Sequence, residues 1–530
     1  MKAQHPQSTP AVFASVVCGF GHRPALVDEN GQVTTYQELD AIRYRAAGAL
    51  LALGVQPGDR VAIWAPNSVQ WVMAALAIHS LGAALVPINT RMRGQEAGYI
   101  LEKSGARVLF CAGRFLSEHY PSLIEAHRPE SLQQVVVLHD AEDEDLDWDA
   151  FLGHAPEDSE ARVDACIAQV DCETVMDIMF TSGTTGLPKG VVTAHGQNLR
   201  VIREWSRTMA LSSNDRYLVV NPFFHAFGYK VGWLAGLMHG MAVYPQAVFD
   251  ADAVIDRIEK DRITVLPGPP TLFVSLLDAL QQGKRDLSSL RATITGAAAV
   301  APSLIERIRN EIGFEIVLTG YGLTETCGIV TLCAPDDDAE TIVSTCGRPI
   351  RDIDVRCMDE EGHLLGPEET GEIVVRGYNV MQGYLDDRMA TLRAIDAAGW
   401  FHTGDVGSLD ERGYLRITDR LKDMYICGGF NCYPAEIERL IAAHPAVGQV
   451  AVVGVPDARM GEVGMAFIVP RGDATLDEVA FKNWCREQMA NYKVPRFIAI
   501  RDHLPTNASG KVLKYALRDE AAKTTQQETA

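Results

Sequence analysis

The sequence Thr181-Ser182-Gly183-Thr184-Thr185-Gly186-Leu187-Pro188-Lys189-Gly190 follows directly after the apolar run Ile178-Met179-Phe180. Its glycines let the backbone turn and approach a ligand, its hydroxyls and amides can donate to anionic oxygens, and Lys189 adds a positive charge. This combination predicts a strand followed by a phosphate-binding loop. It is not a Walker A loop, because the G-x-x-x-x-G-K spacing is missing. A merely flexible turn, the alternative interpretation, would not need Pro188 and Lys189.

The chain around this loop has the composition of a folded globular protein. It has 530 residues, of which 47% are hydrophobic and 22% charged. That length predicts three or four structural units, and the composition rules out a disordered chain or a collagen-like fibre. The formal net charge of −21 argues against nucleic acid as a partner, because a bound polyanion would work against the global field.

The charge is divided unevenly along the chain. Residues 1–419 carry 34 basic and 56 acidic side chains, a net of −22, whereas residues 420–530 carry 14 basic and 13 acidic side chains, a net of +1. Residues 482–518 alone hold eight basic and two acidic side chains. The last part of the chain is therefore expected to offer a basic face to anionic ligands, with ordinary charge scatter as the alternative.

Alternating helical and strand patterns predict an α/β fold. Thr35 and Glu38 form a capping-box pattern ahead of a helical repeat, and strand-like segments such as residues 60–65 and 264–266 recur between helices. Short strands and glycine turns from residue 350 to 418 indicate a smaller, β-barrel-like unit. After residue 419 an independent α+β pattern begins, including a helix with Pro434 in its first turn and a later helix expected to be capped by Thr475.

We therefore predict a large N-terminal domain over residues 1–419, built of two α/β subdomains plus the β unit, and a small C-terminal domain over residues 420–530. The longest apolar stretch, residues 71–88, contains His79, Ser80, Gly82 and Pro87, which favours a buried helix, a turn and a buried strand over a transmembrane segment. Eleven cysteines without a C-x-x-C pair, and no signal-peptide pattern, predict a cytoplasmic protein.

Further motif-like segments follow the phosphate-binding loop in order. Together with residues 181–190 they resemble the signatures of the adenylate-forming superfamily, which includes acyl-CoA synthetases, luciferases and the adenylation domains of peptide synthetases. The resemblance covers about residues 30 to 518. The segments are Gly320-Tyr321-Gly322-Leu323-Thr324-Glu325, Thr403-Gly404-Asp405, Asp419-Arg420-Leu421-Lys422-Asp423, Gly428-Gly429-Phe430-Asn431 and residues 505–511.

The resemblance implies that ATP and Mg²⁺ bind at these segments. Lys189 and its loop would meet the β and γ phosphates, Thr324 and Glu325 the phosphates and the magnesium ion, and Asp405 the ribose hydroxyls. Such a site must neutralise the triphosphate and stabilise a pentacoordinate phosphorus as pyrophosphate leaves. The implied ATP-binding set is Thr181, Ser182, Gly183, Thr184, Thr185, Gly186, Lys189, Gly296, Ala297, Ala298, Gly320, Tyr321, Gly322, Thr324, Asp405, Arg420 and Lys511.

The resemblance also implies a second step with coenzyme A. Lys511 matches the lysine that reaches the carboxylate and the α-phosphate during adenylation, and Lys422 matches the hinge about which a mobile small domain rotates. Gly428, Gly429 and Phe430 would then line a tunnel for the pantetheine arm of CoA. Phe430 departs from the glutamate that the family often has there, which leaves the detail of that tunnel open. The catalytic set is Lys511, Thr181, Lys189, Glu325 and His225.

The acid itself is less constrained by the sequence. His225 matches a position beside the acyl carboxylate, and the segment from Asn221 to Trp233 lacks the aspartate that would pair with an amino-acid ammonium group. This absence favours an apolar acid, either a medium- or long-chain fatty acid or a ring-bearing acid such as one derived from a steroid. The expected acyl pocket consists of His225, Phe227, Tyr229, Trp233, Ile329 and Val330, with Tyr229 as a gate.

The sequence thus predicts an AMP-forming acyl-CoA ligase that uses ATP, Mg²⁺ and CoA. The alternatives are a ligase that loads an acyl carrier protein and a nucleotide-binding paralogue without catalytic activity. Whether the chain forms a homodimer is left open by the sequence. An intact set of Glu325, Asp405, Lys422 and Lys511 argues against the non-catalytic alternative.

Overall fold

The computed structural model describes residues 7–182, 187–281, 283, 285–296, 302–359, 361–420, 425–432, 434–472, 474–505, 512 and 514–528. Its mixed α/β sheets, a large N-terminal domain and a smaller C-terminal domain confirm the predicted fold class.

The helices of the large domain are α1 (Thr9–Phe20), α2 (Tyr36–Ala52), α3 (Val69–Ser80), α4 (Gly94–Ser104), α5 (Tyr120–Glu125), α6 (Trp148–Gly153), α7 (Ser159–Ile167), α8 (His195–Thr208), α9 (Ala226–Gly228), α10 (Ala235–Met238), α11 (Ala251–Asp261), α12 (Pro270–Leu280), α13 (Pro302–Arg307), α14 (Ala339–Ser344) and α15 (Arg388–Ala394). Two π-helical segments, Tyr229–Leu234 and Ile308–Ile312, and a 3-10 turn, Thr324–Thr326, interrupt this pattern.

The strands of the large domain are β1 (Pro24–Val27), β2 (Val33–Thr35), β3 (Arg60–Trp64), β4 (Ala84–Pro87), β5 (Val108–Cys111), β6 (Arg114–Phe115), β7 (Glu118–His119), β8 (Gln134–Val137), β9 (Val175–Ser182), β10 (Pro188–Ala194), β11 (Arg216–Val219), β12 (Ala242–Pro245), β13 (Ala292–Ile294), β14 (Ile316–Leu318), β15 (Gly320–Tyr321), β16 (Thr331–Leu332), β17 (Arg348–Pro349), β18 (Ile353–Met358), β19 (Gly371–Gly377), β20 (Gly383–Tyr384), β21 (Phe401–Leu409) and β22 (Leu415–Arg420).

The small domain contains β23 (Tyr425–Cys427), β24 (Phe430–Cys432), α16 (Pro434–Ala442), β25 (Val447–Asp457), β26 (Gly461–Pro470), α17 (Glu478–Gln488), β27 (Phe497–Ile500) and α18 (Lys514–Glu528).

Local sequence signals explain several element boundaries. The predicted capping box at the start of α2 is present, with the Thr35 side chain accepting from the Glu38 amide and the Glu38 carboxylate accepting from the Thr35 amide. The apolar stretch 71–88 forms most of α3, a turn at Gly82 with φ +66°, and β4, so it does not span a membrane. No helix in the described ranges is long and apolar enough to cross one.

Two predicted details differ from the structure. The strand expected at residues 264–266 contains a single bridging residue, Val265, which pairs with Tyr217 and Ala292. Backbone hydrogen bonds to the two neighbouring segments nevertheless extend over residues 264–268, so the segment lies in the sheet. The helix expected to be capped by Thr475 begins at Glu478 instead. Its cap is Asp477, whose carboxylate accepts from the Ala480 amide at 2.7 Å.

Two sheets position the site in the large domain. One has the order β11-β12-β1-β2, and the other has the order β20-β10-β9-β4-β3-β5-β8. In the second sheet, β9 and β10 form an antiparallel hairpin whose connection is the predicted phosphate-binding loop. The β unit is a four-stranded antiparallel sheet, β18-β19-β21-β22, that follows the α/β part.

The small domain is built on a separate apolar core. Its sheet has the order β24-β23-β26-β25, with β27 added beside β26. The residues of this core run from Tyr425 to Ala521, whereas the cores of the preceding part are formed by earlier residues. Each part therefore buries its own apolar surface, and the contacts between the two parts can be considered separately.

Candidate active site

A cavity of about 1010 Å³ brings together predicted site residues from distant parts of the chain. It is lined by residues of the hairpin β9–β10, the turn after β15, strand β21 and the small domain. The predicted residues on its wall are Thr181, Lys189, His225, Phe227, Gly296, Gly320, Tyr321, Gly322, Thr324, Glu325, Ile329, Asp405, Gly428, Gly429 and Phe430.

Some predicted residues lie outside the described ranges. They are Gly183, Thr184, Thr185, Gly186, Ala297, Ala298, Lys422 and Lys511. Of Ser182 and Arg420 the structure describes the backbone, in β9 and β22.

The part of the cavity predicted to bind phosphates is formed by the β9–β10 hairpin. Thr181 and Lys189 are directly opposite each other in the antiparallel pair β9–β10. The Lys189 ammonium lies 5.1 Å from the centre of the Tyr384 ring, a distance at which the ring quadrupole attracts a cation. Both strands are therefore fixed by sheet pairing, and the lysine is held beside the cavity by an aromatic face.

Tyr384 links this lysine to the predicted metal-binding carboxylate. It lies in β20, which pairs with β10, and its hydroxyl donates to Oε1 of Glu325 at 2.9 Å. The Glu325 carbonyl in turn accepts from the Met381 amide at 2.8 Å. Lys189, Tyr384 and Glu325 thus form one connected group in which a cation and a carboxylate face the same space.

Another part of the cavity suits a nucleoside. The Tyr321 hydroxyl donates to Oδ2 of Asp405 at 2.7 Å, which joins the turn after β15 to strand β21. At Gly322 a Cβ atom would lie 2.2 Å from the carbonyl oxygen of Gly328, so only glycine fits there. Gly296 contributes a wall without a side chain. An aromatic ring, a carboxylate acceptor and bare backbone can bind a flat base and a ribose.

The part of the cavity predicted to hold the acid, called the acyl side here, lies around His225. This residue precedes α9, and its carbonyl accepts from the amides of Gly228 and Tyr229, which fixes the turn. The side chain is accessible from the cavity but is otherwise surrounded by protein, and this desolvation lowers the pKa of His225. The lowered pKa favours the neutral imidazole, which can donate one hydrogen bond to an anionic group without adding charge.

Three residues expected in the acyl wall do not line the cavity. Tyr229, Trp233 and Val330 are fully buried behind it. The Tyr229 hydroxyl lies 2.8 Å from Nε2 of His79, and the Tyr229 ring stacks on Trp233 with centroids 5.3 Å apart. Burial raises the pKa of Tyr229 and lowers that of His79, so a protonated phenol donates to a neutral imidazole. Tyr229 is locked in place, and its expected role as a gate is not supported.

Some residues that line the cavity are not predicted from the sequence. One is Tyr384, beside Lys189, and the others are Trp205, Met179 and Val231 on the acyl side. Trp205 packs edge-on against Phe227 with centroids 6.1 Å apart. These residues lie on a helix, a strand and a π-helical segment, within ordinary apolar patterns. No local pattern distinguishes them from core positions.

The side chains on the cavity wall determine whether a metal ion could bind there. Among the described residues, no group of three or more His, Cys, Asp or Glu side chains could hold a metal ion. Glu325 lines the cavity together with Lys189 and Thr324, and two further carboxylates, Asp405 and Glu462, lie elsewhere on its wall. Such a donor set fits Mg²⁺, which binds proteins through one or two carboxylates while phosphate oxygens and water complete its coordination.

Comparisons with known proteins agree with this geometry. The family model for AMP-binding enzyme matches residues 13–385, and that for AMP-binding enzyme C-terminal domain matches residues 436–511. The chain is 49% identical to the 3-[(3aS,4S,7aS)-7a-methyl-1,5-dioxo-octahydro-1H-inden-4-yl]propanoyl:CoA ligase of Mycobacterium tuberculosis (strain ATCC 25618 / H37Rv), over 97% of this chain and 99% of that protein. The ligase of the same name from Rhodococcus jostii (strain RHA1) is 49% identical over 98% of this chain and 99% of that protein.

Solved structures show the same fold. The o-succinylbenzoate CoA synthetase from Bacillus subtilis, bound with its product analogue OSB-NCoA, is 29% identical, with a TM-score of 0.81 over 97% of this chain and 98% of that chain. ATP-bound MatB from Rhodopseudomonas palustris is 31% identical, with a TM-score of 0.69 over 96% of this chain and 98% of that chain.

Tyr384→Phe should slow acid-dependent ATP–pyrophosphate exchange about tenfold, because it removes a hydrogen bond to the Glu325 carboxylate and leaves the ring beside Lys189. Tyr384→Leu removes both contacts and should slow exchange further. If Tyr384→Phe exchanged like the unmodified protein while Tyr384→Leu were impaired, the hydroxyl would have no role.

The lowered pKa of His225 predicts that a smaller fraction of this side chain is protonated at pH 6 than in a histidine with an ordinary pKa. The ratio of kcat/KM for the acid between the unmodified protein and His225→Gln should therefore change less than about fourfold between pH 6 and 8. A histidine with an ordinary pKa of about 6.5 would be roughly three-quarters protonated at pH 6, so the ratio would change about fourfold. A change of that size would show that burial does not control this group.

Proposed function

Because this chain belongs to the AMP-binding enzyme family of adenylate-forming acyl-CoA synthetases, we propose that it activates a compact, ring-bearing carboxylic acid and transfers it to coenzyme A. In the first step, a carboxylate oxygen attacks the α-phosphorus of ATP, and pyrophosphate leaves. In the second step, the CoA thiol attacks the acyl carbonyl, and AMP leaves. The observation that supports this best is one cavity lined jointly by the phosphate hairpin, the acyl side and residues 428–430.

The compact acid is favoured over a long straight chain by the closed end of the acyl side. Tyr229 and Trp233 stack behind the wall, Trp71 packs edge-on against both rings, and the Tyr229 hydroxyl is bonded to His79. Phe223 in turn packs edge-on against Trp71. A long chain would have to displace these fully buried side chains. The two ligases that are 49% identical are named for a propanoyl group on a fused ring system, and that substrate class extends to this chain as part of the proposal.

We assign the first step to the predicted ATP-binding residues. Lys189 and the loop 181–186 would bind the β and γ phosphates, Thr324 and Glu325 would hold phosphate and Mg²⁺, and Asp405 with Arg420 would bind the ribose. Bound Mg²⁺ would neutralise negative charge on the phosphate oxygens. The connection from Lys189 through Tyr384 to Glu325 supports this assignment, since it orients a cation and a carboxylate towards one space.

The second step is assigned to the small domain. We place the domain boundary between residues 419 and 420, the hinge at Lys422, and the pantetheine tunnel at Gly428, Gly429 and Phe430. Gly428 and Gly429 have φ of +57° and +82°, so the turn between β23 and β24 brings bare backbone to the cavity. This arrangement corresponds to the CoA step. The TM-score of 0.81 to a ligase bound with a CoA product analogue, against 0.69 to an ATP-bound relative, supports that assignment.

The compartment belongs to the same proposal. All eleven cysteines are free thiols, eight of them buried. Unpaired thiols in this number suit a reducing compartment, and we place the protein in the cytoplasm.

A panel of acids tests the substrate class. Purified protein with ATP, Mg²⁺ and CoA should convert 3-cyclohexylpropanoate and the dioxo-octahydroindenyl propanoate of the relatives to acyl-CoA faster than octanoate or palmitate, with the product detected by mass spectrometry. Preference for palmitate would contradict the compact acid. AMP release with an acyl carrier protein but none with CoA would contradict the acceptor.

Lys511→Ala separates the two steps. Because Lys511 is assigned to the adenylation orientation alone, this change should abolish ATP–pyrophosphate exchange while acyl transfer from supplied acyl-AMP to CoA stays within about twofold of the unmodified rate. Lys514→Ala, which removes a lysine of α18 paired with Glu438 inside the small domain, serves as the control. Equal loss of both steps in Lys511→Ala would contradict a lysine specific to the first step.

A further inference from the structure

A buried lysine of the small domain lies between two carboxylates, one from each domain. The Lys493 ammonium is 2.7 Å from Oε1 of Glu436 in α16 and 2.7 Å from Oε1 of Glu96 in α4. The Lys493 side chain is 2% exposed, and the two carboxylates are 3% and 8% exposed. Burial disfavours the charged ammonium, but Glu96, Tyr492 and Glu436 outweigh it and raise the pKa of Lys493 well above its usual value.

Glu96 is held in place by its own helix. It is the third residue of α4, and its Oε2 accepts from the Arg93 amide at 2.9 Å, which caps the start of the helix. Its other oxygen, Oε1, is directed to Lys493. One carboxylate thus caps a helix of the large domain and pairs with a cation of the small domain, so the position of Glu96 does not depend on the small domain.

Neighbouring residues make parallel contacts between the domains. Residues 89–96, named here the docking segment, include Asn89, whose side-chain amide donates to the Tyr492 hydroxyl at 3.0 Å. The Arg91 guanidinium lies 5.0 Å from the centre of the Phe430 ring, which stacks on Tyr492 with centroids 4.6 Å apart. The docking segment therefore holds the same part of the small domain that presents residues 428–430 to the cavity.

The stability of the small domain does not account for Glu96. Lys493 and Glu436 already form a neutral buried pair within the small domain, and adding Glu96 gives the group a net charge of −1 in a desolvated place. A second buried carboxylate costs desolvation free energy that one cation only partly offsets. Glu96 is the one of the two carboxylates whose contact depends on how the domains are arranged, because Glu436 moves with Lys493.

We infer that Glu96 is a positioning residue for the second step: its ion pair with Lys493 holds the small domain in the orientation that brings residues 428–430 to the cavity. This inference rests on the proposed two-step function. Glu96 touches neither the phosphate hairpin nor the acyl side. Its loss should therefore slow transfer to CoA and leave formation of acyl-AMP unchanged.

Glu96→Gln is the sharpest test, because the glutamine carbonyl can still accept from the Arg93 amide while the charge that faces Lys493 is removed. Transfer from supplied 3-cyclohexylpropanoyl-AMP to CoA should slow at least about tenfold, with ATP–pyrophosphate exchange within about twofold of the unmodified rate. Glu102→Gln removes an exposed carboxylate from the same helix and should change neither step. Unchanged transfer, or equal loss of both steps, would overturn the inference.

Hydrogen–deuterium exchange of the full chain provides a readout that does not require turnover. In Glu96→Gln, amides of the docking segment and of residues 490–497 should exchange faster than in the unmodified protein, and those of β3 and β5 should not. If no acid supported catalysis by the unmodified protein, the proposed function would fail, while this comparison would still decide whether Glu96 holds the domains together. Unchanged protection in both segments would contradict the inference that Glu96 holds the small domain in this orientation.

Tyr492→Phe is a second variant in case Glu96→Gln does not fold. It removes the hydroxyl that accepts from Asn89 and keeps the ring stacked on Phe430. Transfer should slow about threefold, with exchange unchanged, because a neutral hydrogen bond contributes less than a charged one. Unchanged transfer in a folded Tyr492→Phe would count against the docking segment as the holding surface.

Discussion

Repulsion between anions is the constraint on which this site depends. ATP and a carboxylate both carry negative charge, and residues 1–419, which form most of the cavity, carry a net charge of −22 themselves. Attraction at long range therefore cannot assemble the substrates, so the site must use groups at contact distance. Lys189 is held by sheet pairing and by the Tyr384 ring, and Tyr384 orients Glu325 by a hydrogen bond. A few preorganised contacts thus do what the overall charge opposes.

Much of this architecture is predictable from the sequence where one local signal determines one local structure. The capping box of Thr35 and Glu38 begins α2, and the glycine turn within residues 71–88 separates α3 from β4. The strand expected at residues 264–266 is less regular than its apolar pattern predicts. It lies in the sheet, but the regularity of its pairing depends on Tyr217 and Ala292, which come from elsewhere in the chain.

The site residues also fall into two groups: those that a local motif predicts and those whose position depends on other parts of the chain. Residues inside motifs, such as Tyr321, Glu325 and Asp405, do line one cavity. The residues of the acyl wall are harder to predict. Tyr229 and Val231 lie two residues apart in a π-helical segment, and only Val231 faces the cavity. Residues two apart point to opposite sides of a helical turn, and the sequence pattern does not show which side faces the cavity. Tyr384 was missed because its role arises from the pairing of β20 with β10, across almost 200 residues.

The contacts between the domains explain why a polar surface suits this protein. An enzyme whose small domain must change orientation between steps cannot bury a large apolar surface in either one, since releasing it would slow every cycle. The docking segment instead uses one buried ion pair, hydrogen bonds from Asn89 to the Tyr492 hydroxyl and from Arg93 to the Arg486 carbonyl, and an arginine beside an aromatic ring. Directional contacts of this kind are lost within a short displacement, so they specify one orientation and disappear when the domain leaves it. Under the proposed rotation, Glu436 would stay with Lys493, so the cation would keep a buried partner, and Glu96 would be the charged group that returns to water.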